Sequence, residues 1–157
     1  MLSARLCCLQ NAIDVFYALL NEENNMNSGQ FSVSSSNYME LIDITPQVAK
    51  KIAKSSIQNG ICHLYNPHTT AGLTINEGAD PAVRTDIIKA LKDIIPFDLA
   101  YQHMEGNSPS HVLSSLFGCS EMIFVENNRL VLGTWQKIYF CEFDGARTRK
   151  VLWRISS

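Results

Sequence analysis

Past residue 30 the apolar positions of the chain alternate between a period near 3.6 and a period of two, and each switch marks an element. Residues 38–44 and 61–65 are short apolar-rich runs that predict strands. Between them Thr45 reads as a helix cap with Pro46 in the first position. Val48, Ala49, Ile52 and Ala53 then form one apolar stripe, and Gly60 follows the end. A second helix is predicted from Asp80 as cap and Pro81 as first residue, with Val83, Ile87, Ile88, Leu91 and Ile95 on one face and Pro96 as the stop. A third starts at Ser108 as cap with Pro109 inside, runs through Val112, Leu113, Leu116 and Phe117, and ends at Gly118.

The last third reads as β. "MIFVENNRLVLG" predicts strand, Asn-Asn turn and strand, because asparagine tolerates the positive φ of a tight hairpin. "WQKIYFCEF" and "RKVLWRI" follow, separated by a turn at Asp144-Gly145, and Val151, Trp153 and Ile155 alternate with Lys150, Leu152 and Arg154. Helices set among early strands and followed by a β-meander predict an α+β domain. The polar stretch "NEENNMNSGQ" at 21–30 has a linker's composition, so residues 1–26 are read as an extension and 27–157 as the domain. Met26 is an alternative start. The first twenty residues raise the question of a signal peptide, but Asn11 and Asp14 interrupt the apolar run and no small-residue cleavage pattern follows. A short amphipathic helix or a frayed extension is expected there.

Composition narrows the function classes. The chain has 157 residues, 46% of them hydrophobic and 18% charged, with a formal net charge of -2. Bulk attraction to a polyanion is absent, so no nucleic-acid partner is expected. No run reaches the roughly 18 apolar residues of a membrane helix, so no membrane partner is expected either. Cys7, Cys8, Cys62, Cys119 and Cys141 are odd in number, form no CxxC pair and sit mostly in apolar runs, which reads as reduced, buried thiols of a cytoplasmic protein. Walker, GxGxxG, DDxxD and GxSxG patterns are missing from the sequence.

The candidate chemistry concentrates in three segments. "YQHMEGNSPSHV", 101–112, places His103 in a loop and His111 in the first turn of the third helix, with Gly106-Asn107 able to fold them together. The spacing suits a loop-plus-helix metal site, and it equally suits a solvent-facing loop histidine beside an unrelated helix residue. "NPHTTAGLTINEGADP", 66–81, adds His68 in a Thr- and Gly-rich segment that suits neither a core strand nor a solvated loop. Three neutral histidines would leave an open metal position for water or substrate. His63 lies in a strand pattern and is set aside. In "GTWQ" and "EFDGAR", Trp135 reads as a core residue and Arg147 as a surface charge, while Gln136 and Arg147 could orient an anionic substrate.

"PHTTAGLTINEGADPAVRTDI", "YQHMEGNSPSHVLSSLFGCS" and "LGTWQKIYFCEFDGARTRKV", in this order, resemble the YjbQ family, small proteins associated with secondary thiamine-phosphate synthase activity. The resemblance spans roughly residues 27–155. One departure is Ala146, where the family commonly has proline; Arg147 stays in place. The resemblance implies a single α+β domain with a curled mixed or antiparallel sheet packed with about three helices, assembled as a homotrimer. It also implies zinc on His68, His103 and His111, and places Glu77, Asp80, Glu105, Asn107, Ser108, Trp135, Gln136 and Arg147 at motif positions. The resulting expectation is a metal-dependent transferase joining a pyrimidine diphosphate to a thiazole phosphate. Glu77, Glu105 and Arg147 would be catalytic, and Thr69, Thr70, Asn76, Asn107, Ser108 and Gln136 would bind a phosphorylated substrate. The alternatives are a zinc-dependent hydrolase in which Glu105 activates water, and a non-catalytic trimeric metabolite- or metal-binding protein.

Overall fold

The computed structural model describes residues 27–157, so the readings of the first 26 residues, Cys7 and Cys8 included, fall outside it. Eight strands form two antiparallel sheets. In chain order they are β1 (Ser28–Ser34), β2 (Glu40–Asp43), β3 (Gly60–Tyr65), β4 (Ala71–Glu77), β5 (Ser120–Glu126), β6 (Arg129–Leu130), β7 (Gln136–Glu142) and β8 (Thr148–Ser156). The five-stranded sheet has the order β1-β8-β3-β5-β6 and the three-stranded sheet β2-β7-β4. Three helices among the described residues, α1 (Thr45–Ile52), α2 (Pro81–Ile94) and α3 (Ser108–Phe117), complete an α+β domain.

Period-two alternation explains the layering. Along β7, Ile138 and Phe140 join Val33, Leu64, Leu73, Val151, Trp153 and Ile155 in a core between the two sheets, capped by Ile44, Val48 and Ile52 at α1. The intervening Tyr139 and Cys141 turn to the other side, where Leu41, Leu113 and Phe143 form a second core covered by Ile87, Ile88 and Leu91 of α2 and by Ile95 just past its end. The small sheet is thus buried on both faces, which is why β7 reads as an unbroken apolar run. Helix α3 rests on β4 at Gly72, where an added Cβ would stand 2.7 Å from the Phe117 Cβ. Only glycine allows that approach.

Several sequence expectations hold and several change. Asp80 caps α2 through Ala82 N–H to Oδ1 (2.8 Å). Asn127 and Asn128, at φ 49° and 60°, make the hairpin turn between β5 and β6, and Gly118 closes α3 at φ 84°. Thr45 and Ser108, by contrast, are the first residues of α1 and α3, not their caps. Thr45 Oγ1 instead accepts the Ile138 amide at 2.8 Å, tying α1 to β7. The stretch after His68 contains the strand β4. No meander forms at the C terminus: β7 crosses to the small sheet, and β8 returns between β1 and β3. Trp135 is not a core residue; it is 65% exposed in the turn before β7. Cys62 and Cys141 are buried as expected, but Cys119 is exposed.

Candidate functional site

One charged pair lies inside the sandwich. Arg149 shares the inward phase of Val151, Trp153 and Ile155 on β8, and Glu142 shares that of Ile138 and Phe140 on β7, so the two meet at one end of the core between the sheets. The guanidinium makes a two-point contact, Nε to Glu142 Oε2 at 2.7 Å and Nη2 to Oε1 at 2.6 Å, and Nη2 also donates to Thr70 Oγ1 at 2.8 Å. Burying two charges is tolerable only with this degree of pairing and hydrogen bonding.

The pair organises what stands above it. Glu142 Oε1 accepts the Asp144 amide (2.9 Å), and Asp144 Oδ2 in turn holds Asn107 Nδ2 (3.1 Å) and Arg147 Nη2 (3.0 Å). The Arg147 amide is fixed by Ser35 Oγ at 3.0 Å. Helix α3 is docked by two buried or half-buried hydroxyls, Ser110 Oγ to the Phe143 carbonyl (2.6 Å) and Ser114 Oγ to the Ala71 carbonyl (2.7 Å). Across from it, buried Asn66 winds the next segment into a tight loop: its Oδ1 accepts the His68 amide (3.0 Å) and its Nδ2 donates to the Ala71 carbonyl (2.6 Å). The result is an open cavity of about 270 Å³ bordered by His68, Thr69, Thr70, Glu105, Asn107, His111, Asp144, Arg147 and Arg149. Arg147 is half exposed, at 48% of its side chain, and keeps N–H donors beyond the one given to Asp144.

His68 is held neutral. The Lys150 amide donates to its Nε2 at 2.8 Å, so that nitrogen must keep its lone pair, and the ring proton belongs on Nδ1. Burial lowers the imidazole pKa from its ordinary 6.5, and the Arg149 cation adds to this against the opposing Glu142 charge.

The residues singled out in the sequence divide between two ends of the small sheet. His68, Thr69, Thr70, Glu105, Asn107, His111 and Arg147 converge on the cavity. Glu77, Asn76 and Gln136 sit at the far end of the β4–β7 pairing, where Glu77 faces Gln136, while the cavity end is where Ala71 faces Glu142. Six residues of strand separate the two ends, about 20 Å. Gln136 Oε1 accepts the Gly133 amide (2.8 Å) and serves its own turn. Asp80 is occupied as the α2 cap. Ser108 does not border this cavity; with Tyr101 and His103 it lines a surface hollow on the other side of His111. Asp144, Glu142 and Arg149 escaped the sequence reading, although the two buried charges fall in phase with apolar strand positions.

The structure does not gather His68, His103 and His111 into one three-ligand cluster. His103 and His111 are neighbours, with ring centroids 5.3 Å apart at 75°, and His103 Nε2 lies 3.7 Å from Glu105 Oε2. His68 borders the same cavity as His111, with its Nε2 lone pair already committed to the Lys150 amide. Among the described residues no group of three or more His, Cys, Asp or Glu side chains is placed to hold a metal ion. Nor is any helix among them long and apolar enough to cross a membrane.

Comparison with known proteins bears on the activity as well. A family profile described as UPF0047 protein YjbQ-like matches residues 29–157. UPF0047 protein YugU of Bacillus subtilis is 50% identical over 111 residues, 70% of this chain and 84% of its own. UPF0047 protein MJ1081 of Methanocaldococcus jannaschii is 47% identical over 121 residues, 77% and 88% respectively. A Clostridium acetobutylicum crystal structure described as an uncharacterized conserved protein of the YjbQ/UPF0047 family has a TM-score of 0.80 at 48% identity, covering 82% of this chain and 99% of that one. A Sulfolobus solfataricus structure described as of unknown function reaches 0.78 at 32% identity, covering 82% and 94%. None of these descriptions carries thiamine-phosphate synthesis or a metal requirement. Together with the lack of a three-ligand cluster among the described residues, this overturns the reading of a metal-dependent thiamine-phosphate synthase.

Two outcomes are expected from the site's architecture. Glu142→Ala or Arg149→Ala, each leaving a buried charge alone, should cost about 3–5 kcal/mol in urea denaturation. The Glu142→Leu/Arg149→Met double variant should cost well under the sum. For His68, an NMR titration should place the imidazole midpoint below 6.5. Since the unfolded chain takes up the proton first, His68 contributes stability above about pH 6.5 that is lost as the pH falls toward the folded midpoint.

Proposed function

The chain belongs to the YjbQ-like UPF0047 family, and we propose that its cavity binds a small metabolite through a phosphate group, with proton transfer at the bound ligand as the chemistry its side chains can perform. The observation that carries this reading is Arg147: a half-exposed guanidinium locked by Asp144 at 3.0 Å over a cavity that Thr69, Asn107 and His111 also border. A guanidinium held by one partner keeps a fork of donors that matches a tetrahedral oxyanion. The fixed charges Arg149 and Glu142 cancel within the wall, so Arg147 supplies the recognition. His111 and Glu105 on the same rim are an imidazole and a carboxylate able to exchange a proton with a bound phosphate ester.

Assembly into a homotrimer is part of this reading. The outward face of the five-stranded sheet carries Met122 (57% exposed) and Phe124 (59%) on β5 beside Tyr65 on β3 and Leu152 on β8, which face each other in register. This face, apolar around His63 and Arg154, suits contact with a second copy of the chain.

Calorimetric titration with phenyl phosphate should show saturable binding that Arg147→Ala weakens at least tenfold, about 1.4 kcal/mol. Undiminished binding in that variant would sink the phosphate reading. By light scattering, the protein should have three times its 17.6 kDa chain mass, and Met122→Lys/Phe124→Lys should reduce it to one. A wild-type mass of one chain would remove the trimer.

A further inference from the structure

Behind the charged cavity lies a second open chamber of about 540 Å³. The two share Pro67, His68, Thr69 and His111 as a common wall, so they are lobes of one cleft. Their linings differ in kind. Every Asp, Glu and Arg of the cleft borders the first lobe, and no Asp, Glu, Lys or Arg borders the second.

The polar groups of the second lobe are largely spent on the protein itself. Asn66 holds its own loop, Ser114 Oγ donates to the Ala71 carbonyl, and Ser115 Oγ donates to the His111 carbonyl at 2.9 Å. The Gly118 backbone is likewise taken, by the Ser114 carbonyl and the Leu73 amide, so beyond the shared wall of His68, Thr69 and His111 what remains to face a ligand is the ring of Tyr65 and the exposed Cys119. Such a surface pairs with an uncharged, weakly polar group, because placing a charge there would remove its hydration without offering a partner. A phosphate alone would leave this larger lobe filled with water, whereas ligand sites of a few hundred cubic ångströms, apolar with a few convergent polar groups, are built for whole small molecules.

We infer that the ligand is two-part: an anionic phosphate end in the Arg147 lobe and an uncharged organic body, of aromatic or aliphatic ring size, in the Tyr65–Cys119 lobe. The bond joining the two parts then lies beside His68 and His111, the two imidazoles of the shared wall. This inference rests on the phosphate reading above and adds the class of molecule that the phosphate belongs to, an organic monophosphate with a neutral body.

The test compares methyl phosphate with phenyl phosphate by calorimetric titration, alongside alkylation of Cys119 by iodoacetamide followed by peptide mass analysis. Phenyl phosphate should bind at least tenfold tighter than methyl phosphate and slow alkylation of Cys119 at least fivefold, while methyl phosphate leaves that rate unchanged. Ser115→Trp, which fills the second lobe from the helix, should bring the ratio of the two affinities close to one. Equal affinities in the wild-type protein, with Cys119 unprotected by either compound, would overturn the two-part ligand while leaving phosphate binding in place. Binding of neither compound, or binding indifferent to Arg147→Ala, would instead bring down the phosphate reading itself. The Cys119 footprint is read on the unmodified protein, so a poorly folded Ser115 variant would not leave the question open.

Discussion

The buried contact between Arg149 and Glu142 is the constraint around which this end of the molecule is organised. Two strands from different sheets each turn one charge into the same core, and neither charge is bearable without the other. Their contact therefore fixes β7 against β8 at that end of the sandwich. It also specifies the turn that joins the two strands, since Glu142 accepts the Asp144 amide and Asp144 then holds Arg147 and Asn107. A hydrophobic pair could close the core as tightly, but it would present no acceptor to the Asp144 amide. The charged pair costs desolvation and returns a defined geometry in the turn above it.

From that anchor the cleft is assembled by three independent supports. The turn at 144–147 comes from β7 and β8, helix α3 is seated by Ser110, Ser114 and the close approach at Gly72, and the loop at 66–70 is wound by Asn66. The loop and the helix are held through backbone carbonyls and amides, while Asp144, Arg147 and Asn107 hold one another side chain to side chain and so enter the cleft already oriented. His68 shows the same economy. Its Nε2 is given to the Lys150 amide of β8, which orients the ring and selects the tautomer, leaving Nδ1–H as the donor side.

Much of the fold was legible where local chemistry decides. The Asp80-Pro81 start of α2, the Asn127-Asn128 turn and the Gly118 stop depend on a residue's own backbone preferences, and those preferences prevailed. Strand β4 was obscured because Gly72, Thr74 and Asn76 interrupt it; Ala71 and Leu73 reach the core and Ile75 packs against it, but Gly72 is buried beneath α3 as well, so burial there does not alternate. Thr45 and Trp135 were misread for tertiary reasons: the hydroxyl found the Ile138 amide in another element, and the indole fell in a turn outside both cores. The site was half legible. His68, His111, Glu105 and Arg147 stood out by residue type, but the sequence alone could not separate them from Glu77, Asn76 and Gln136. That separation depends on strand register, which sets Glu77 opposite Gln136 at one end and Ala71 opposite Glu142 at the other.

The charge arrangement explains what kind of recognition this cleft favours. Arg149 is matched by Glu142 and Arg147 by Asp144, and Glu105 adds a further carboxylate, so the wall has no excess positive charge with which to draw anions from a distance. Attraction of that kind needs uncompensated charge of one sign. What the compensated arrangement provides is direction: donors fixed by carboxylates do not have to reorganise when an oxyanion arrives. Discrimination then falls to shape and to the neutral second lobe, where an additional charge on a ligand would be stripped of water and left without a partner. On the proposed reading, a ligand with a second charged group placed in the neutral lobe would bind more weakly than one whose only ionised group is its phosphate.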